Sequence, residues 1–172
     1  MQEIEVKILN IDKQKVIAQL ESLGAKKVLD CEMCSSTFDF ADKRLAKEGK
    51  FLRLRTKGGI TELTLKEKVS TEQAKINEEH EVIVSDKNCL RGILHGLGLK
   101  EVKTDAKKHR VEYVLGNVHF EIDTLAENIP PLLEVEAPTL EEVQKAVEML
   151  GFSMKDDAKP WSGKDVREHY GK

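Results

Sequence analysis

What most limits the folds open to this chain is a two-residue alternation, repeated in segment after segment, between ionisable and apolar positions. Successive side chains on a β-strand point to opposite faces, so residues of one parity share a face. In the first segment Glu3, Glu5 and Lys7 oppose Ile4, Val6 and Ile8. Arg53 and Arg55 oppose Leu52 and Leu54, while Glu62, Thr64, Lys66 and Lys68 oppose Leu63 and Leu65. Glu79 and Glu81 oppose His80 and Val82, and Lys108 and Arg110 oppose Val111. Glu121 and Asp123 oppose Phe120 and Ile122, and Glu134 and Glu136 oppose Leu133 and Val135.

Two tight turns test whether these charged faces coincide. Gly58-Gly59 and Gly116-Asn117 are two-residue hairpin signals. The first sets Arg55 opposite Glu62 and Arg53 opposite Thr64. The second sets Arg110 opposite Asp123 and Glu112 opposite Glu121. In both hairpins the charged faces match, and the apolar faces lie on the other side. An open sheet with one solvated face would show the same pattern on any single strand. Such faces, however, are usually rich in Ser, Thr and Gln, whereas here nearly every position is ionisable and E-x-E occurs three times. Glu112 opposite Glu121 sets like charges together, which is destabilising unless a cation lies between them. About eight strands can close into a barrel that holds one small ligand. The expected fold is therefore α+β: a closed antiparallel eight-stranded barrel, charged inside, with helices packed on its apolar outside.

Helices are expected where the period changes to 3.6. An E-x-E strand runs three times into an amphipathic segment that ends on Leu-Gly: Asp12–Leu23, Asp86–Leu97 and Thr139–Leu150. Thr139 with Glu142 reads as a capping box, and the glycine after each leucine suits a helix C-terminus. Ser162–Tyr170 reads as a last helix. No Pro/Gly/Ser linker divides the 172 residues, so a single domain over 1–172 is expected.

With 34% charged residues but a net charge of only −3, the chain lacks the basic excess of a nucleic-acid binder. No apolar run approaches a membrane span and the N-terminus lacks a signal-peptide core, so a cytoplasmic protein without membrane contact is expected. Cys31, Cys34 and Cys89 form neither a disulfide framework nor paired zinc knuckles, and are read as reduced thiols. His80 and His109 fall on the outer parity, and no histidine pair has zinc-ligand spacing.

A surface mixing clustered carboxylates with clustered bases suits a metal-bound polyphosphate. Arginines and lysines grip phosphate oxygens, and carboxylates supply the hard oxygens that Mg²⁺ or Mn²⁺ require.

The ordered motifs resemble the CYTH superfamily of triphosphate tunnel metalloenzymes, which includes class IV adenylyl cyclases, thiamine triphosphatases and inorganic tripolyphosphatases. The resemblance rests on Glu3-x-Glu5-x-Lys7; Thr37-Phe38-Asp39 with Leu45, Gly49 and Leu52-Arg53-Leu54-Arg55; and Leu63-Thr64-Leu65-Lys66. It continues through Glu79-His80-Glu81, Lys108-x-Arg110 with Tyr113, Asp123, and Glu134-Val135-Glu136. It implies Glu3, Glu5, Asp123, Glu134 and Glu136 as metal ligands for Mg²⁺ or Mn²⁺. It implies Lys7, Arg53, Arg55, Lys66, Lys68, Lys108 and Arg110 as phosphate-binding bases, with Lys7, Arg53, Arg55 and Glu81 the expected catalytic set. Family members often carry Arg two residues before the second E-x-E, where Asn77 stands here, so one phosphate contact is expected to be missing.

The activity expected is metal-dependent hydrolysis of a triphosphate, whether inorganic tripolyphosphate, thiamine triphosphate or a nucleoside triphosphate. The alternative is an adenylyl cyclase of the class IV type, in which a ribose 3′-hydroxyl attacks the α-phosphate. With one Trp and two Tyr, no adenine-stacking platform stands out. A non-catalytic polyphosphate-binding module ranks last, because all three E-x-E pairs are intact. The expected partner is a small-molecule triphosphate, with no nucleic acid and no membrane, and a homodimer is left open.

Overall fold

A computed structural model describes residues 2–125 and 128–171. Nine strands form one sheet: β1 (Gln2–Ile8), β2 (Lys26–Asp39), β3 (Lys50–Lys57), β4 (Ile60–Ser70), β5 (Lys75–Val84), β6 (Lys100–Leu115), β7 (Val118–Leu125), β8 (Leu132–Ala137) and β9 (Ala158–Lys159). The strand order is β5-β4-β3-β2-β6-β7-β8-β1-β9, and β5 also pairs with β1. That last ladder closes β1 to β8 into an antiparallel barrel, and β9 adds a short strand beside Lys7 and Ile8. Closure leaves these strands few unpaired edges.

Both hairpins adopt the expected register. Arg55 pairs with Glu62 and Arg53 with Thr64, and Arg110 pairs with Asp123 and Glu112 with Glu121. Gly58, Gly59 and Gly116 have φ of 54°, 85° and 60°, the left-handed region that two-residue hairpin turns demand.

Among the described residues five helices cover the outside: α1 (Lys13–Ser22), α2 (Arg44–Lys47), α3 (Lys87–Gly96), α4 (Leu140–Met149) and α5 (Gly163–His169). Asp12 and Asp86 cap α1 and α3 by accepting hydrogen bonds from the backbone N–H groups two and three residues on. The capping box expected at Thr139 is only half made. The Thr139 hydroxyl accepts from the Glu142 N–H, but the Glu142 carboxylate accepts from that hydroxyl rather than from the Thr139 backbone. The reciprocal box lies instead at α5, between Ser162 and Asp165.

The barrel's outer face is apolar, and the helices bury it in patches. Val16 and Leu20 of α1, with Val143, Ala146 and Val147 of α4, pack on Val6, Val111, Phe120, Ile122, Leu133 and Val135. Each such fully buried side chain contributes about 1.5–3 kcal/mol. Leu90 and Leu94 of α3 and Leu45 of α2 cover Phe38 and Leu54. Val166 of α5 packs with Trp161, Tyr170, Ile129 and Leu132. No helix among the described residues is long and apolar enough to cross a membrane.

Candidate metal and anion site inside the barrel

Burying the apolar parity against helices forces the other parity into the barrel, so the interior carries the charge. Glu5, Lys7, Arg55, Glu62, Arg110, Asp123 and Glu134 are all buried. Charged groups can sit there only if they are paired, and most are. Lys7 Nζ donates to Glu134 (2.7 Å) and Glu5 (3.0 Å), and Lys75 Nζ also donates to Glu5 (2.8 Å). Lys66 bridges Glu3 (2.5 Å) and Glu79. Arg110 makes a two-pronged contact with Asp123, both arms 2.7 Å, and further ion pairs with Glu121 and Glu134. Lys108 donates to Asp123 (2.6 Å), and Arg55 to Glu62 (3.1 Å).

Two groups break this pattern. Arg53 has a buried Nε without a hydrogen-bond partner, and among the described residues no carboxylate lies within ion-pair distance of its guanidinium. Burial and the neighbouring Arg55 lower its pKa to about 10. Glu136 is the converse, a carboxylate with no base in ion-pair contact among the described residues. Its pKa is pushed up to about 9 by burial and by Glu121 and Glu3. Among the described residues the interior thus holds an underused cation, Arg53, and an underused anion, Glu136.

Glu136 belongs to a cluster. Carboxylate oxygens of Glu3, Glu5 and Glu136 lie within 4.8 Å of one another. Backbone pairing explains this, because Glu5 faces Glu136 across the β1–β8 ladder and Glu3 is its same-face neighbour. Burial and a hydrogen bond with Glu79 raise Glu3 to about 7. Three converging carboxylates are hard oxygen donors, and their mutual repulsion is what a divalent cation relieves, so this donor set fits Mg²⁺ or Mn²⁺. By contrast Asp123 and Glu134 are held by bases. Glu134 is driven well below the usual carboxylate range because Lys7, Arg110 and Lys108 outweigh the effect of its burial. Beside the cluster a cavity of about 460 Å³ is lined by Glu3, Glu79, His80 and Glu81.

These shifts make stability depend on pH. A folded-state pKa above the unfolded one means the native protein holds a proton that the unfolded chain releases, so stability falls as pH rises between the two values. For Glu136 that window runs from 4.5 to about 9. In metal-free buffer the melting temperature should therefore fall from pH 6 to pH 9. Glu136→Gln should flatten the slope, and Mg²⁺ should restore more stability at pH 8.5 than at pH 6. A wild-type melting temperature that holds or rises over this range contradicts the cluster's electrostatics.

Each of Glu3, Glu5, Lys7, Arg53, Arg55, Lys66, Glu81, Lys108, Arg110, Asp123, Glu134 and Glu136 lies on the inner parity. Lys68 shares it but is exposed near the end of β4. Glu81 accepts a hydrogen bond from Thr64 Oγ1 (2.9 Å) and lies 3.7 Å from Arg55. Lys75 and Lys57, which hold Glu5 and Glu62 at 2.8 Å each, extend the expected set. Extending the β5 parity back from Glu79 would have found Lys75. His80 and His109 are placed outside, where His109 meets Asp30. Cys31 and Cys34 are free thiols on opposite parities of β2.

Comparison with known proteins agrees with this geometry. A family model described as the CYTH domain matches residues 1–159. A candidate adenylate cyclase of Methanocaldococcus jannaschii is 32% identical over 136 residues, covering 79% of this chain and 77% of that protein. The solved structure of a candidate adenylate cyclase from Vibrio parahaemolyticus superposes with a TM-score of 0.84 at 16% identity, covering 96% of this chain and 97% of that one. A candidate adenylyl cyclase from Hippeastrum, described as having a dominant triphosphatase activity, superposes with a TM-score of 0.68 at 15% identity, covering 99% and 96%.

Proposed function

This chain belongs to the CYTH domain family, and from that premise we propose that it is a metal-dependent triphosphatase whose substrate lies in the barrel. The observation that carries the reading is Arg53, a half-buried arginine whose Nε is buried without a partner and which has no carboxylate in ion-pair distance among the described residues, in an interior where Lys7, Arg55, Lys66, Lys108 and Arg110 each have one. Its empty fork matches two oxygens of a phosphate group. Arg55, Lys66, Lys7, Lys108 and Arg110 line the same interior. They would share their present carboxylate partners with phosphate oxygens, drawing off charge as it develops on the transferring phosphoryl group.

Glu3, Glu5 and Glu136 would hold Mg²⁺ or Mn²⁺, which supplies charge neutralisation and a bound water of lowered pKa. Glu81 and Glu62 both meet Arg55 Nη2, at 3.7 and 3.1 Å, so the role of Glu81 is to position that base. Lys7 and Lys75 hold Glu5 in the cluster from two directions.

A second reading is favoured by the archaeal relative, named as a candidate adenylate cyclase: cyclisation of ATP to cyclic AMP and pyrophosphate. The disposition of the large aromatic side chains speaks for hydrolysis. Tyr113 points into the outer core and donates to Glu21 (2.8 Å), while Trp161 and Tyr170 pack around Val166, so no Trp or Tyr is left in the barrel to stack on adenine. A ³¹P NMR product screen with Mg²⁺ or Mn²⁺ separates the two. Tripolyphosphate alone should yield orthophosphate and pyrophosphate. Cyclic AMP from ATP, with tripolyphosphate acting only as an inhibitor, would establish the cyclase instead.

A further inference from the structure

Glu112 and Glu121 face each other across the β6–β7 hairpin, two like charges on its inner face, and each meets a different base. Glu121 pairs with Arg110, while Glu112 Oε1 lies 2.8 Å from Nδ1 of His119. His119 shares the inner face of β7 with Glu121 and Asp123, and its ladder partner on β8 is Glu136 of the carboxylate cluster. Directly opposed residues have β-carbons about 4.5–5.5 Å apart. The imidazole therefore sits beside the cluster, at the mouth where β7 begins, without an ion pair to it. Glu121, the next inner-face residue along β7, acts electrostatically on both Arg53 and Glu136. Arg53, the cluster and His119 thus surround one stretch of the interior. The His119 side chain is 45% exposed, within reach of water. A carboxylate only accepts, so the Glu112 contact puts the neutral ring's proton on Nδ1 and leaves the Nε2 lone pair free. Among the described residues no hydrogen bond or ion pair engages that Nε2.

We propose that His119 is the general base of the hydrolysis, held in place by Glu112 and taking the proton of the attacking water at Nε2. As the water oxygen bonds to the terminal phosphorus, its proton passes to Nε2. The bond from that phosphorus to the bridging oxygen breaks, and pyrophosphate leaves with the electron pair. The imidazolium then returns its proton to solvent through the mouth. Its Nδ1–H stays on the Glu112 carboxylate throughout, which fixes the ring and stabilises its charged form. The other charged groups facing it are Glu136 from β8 and Glu121 from its own strand, while α4 packs on the opposite face of β7. The inference rests on the triphosphatase reading and names the group that moves the proton within it.

The test joins two readouts. Two-bond ¹H–¹⁵N NMR of the metal-free protein reports which ring nitrogen of His119 is protonated, with His119→Gln identifying the signal. Steady-state kinetics with tripolyphosphate at saturating Mg²⁺ gives kcat against pH for wild type, His119→Gln and Glu112→Ala. The neutral ring should carry its proton on Nδ1, and wild-type kcat should climb with pH along an acid limb. His119→Gln should lower kcat about 100- to 1,000-fold and abolish that limb, with KM changed by less than about threefold. Glu112→Ala keeps the imidazole and loses its orientation, so kcat should fall about 10- to 100-fold with the limb retained. A neutral ring protonated on Nε2, or a His119→Gln enzyme with normal kcat or an intact acid limb, overturns the assignment. Cleavage of tripolyphosphate by the wild type would then still uphold the triphosphatase reading. Wild-type protein that cleaves no triphosphate removes the reading and this inference together.

Discussion

Glu136→Gln should lower turnover about 100- to 1,000-fold, some 2.7–4 kcal/mol of transition-state stabilisation, while raising the melting temperature at neutral pH. The two effects have one cause. Glu136 is half-buried, has no base in ion-pair contact among the described residues and is crowded by Glu121 and Glu3, so the metal-free fold takes up a proton there instead of bearing its charge, and Gln removes the cost of that proton uptake. The cation that would make use of that charge loses a ligand. Glu5→Gln should behave differently, although both residues belong to the same cluster. Glu5 is gripped by Lys7 and Lys75. Neutralising it leaves two ammonium groups short of a partner, one of them buried, and breaking such a pair destabilises a fold. The contrast is read by steady-state kinetics and thermal melts of the two variants. Equal destabilisation by both, or a Glu136→Gln enzyme with normal turnover, contradicts the account.

The second large effect concerns Arg53. Arg53→Lys should cut turnover about 10- to 100-fold although the charge is kept, because an ammonium cannot grip two phosphate oxygens as a guanidinium fork does. Arg53→Met should cost more activity and leave the melting temperature unchanged or higher, since the native guanidinium lies beside Arg55 with its Nε buried and unpartnered. Replacing Arg110, by contrast, should unfold or strongly destabilise the protein, because it neutralises Asp123, Glu121 and Glu134 at once. A destabilised Arg53→Met protein would show that Arg53 is a structural cation and remove the main support for anion binding.

Much of the fold was legible because the side-chain period of a strand is two and the interior is polar. Parity alone put Glu5, Arg55, Arg110 and Glu136 on one surface, and the two glycine turns fixed the register that joins them. The reading weakened where that period is interrupted. Strand β6 begins at Lys100, well before Lys108, where the alternation becomes readable in the sequence, because the β2–β6 ladder shifts register near Ser35–Thr37 and Asp105 takes a φ of 44°. Past such a bulge the alternation flips and no longer reads as one strand. The four-residue α2 was missed because it is too short to show a period.

Within the site, parity could list the inward charges but could not say which would find each other. That depends on cross-strand pairing between strands distant in sequence. The β1–β8 ladder sets Glu5 against Glu136, and the β1–β5 ladder sets Glu3 against Asn77. For the same reason Glu134 and Asp123 could not be told apart from Glu3 and Glu136 in the sequence. Their distinct surroundings, Lys7 and Arg110 on one side and other carboxylates on the other, arise only on closure.

The central claim is that a divalent cation and a triphosphate meet inside the barrel at Glu3, Glu5 and Glu136. Anomalous diffraction from crystals grown with Mn²⁺ and a non-hydrolysable triphosphate tests it most directly. The account predicts a manganese peak with Glu3, Glu5 and Glu136 oxygens at about 2.1–2.3 Å and phosphate density against Arg53. Manganese bound only outside the barrel, or an interior peak ligated by Asp123 and Glu134 with Glu136 left free, would contradict it.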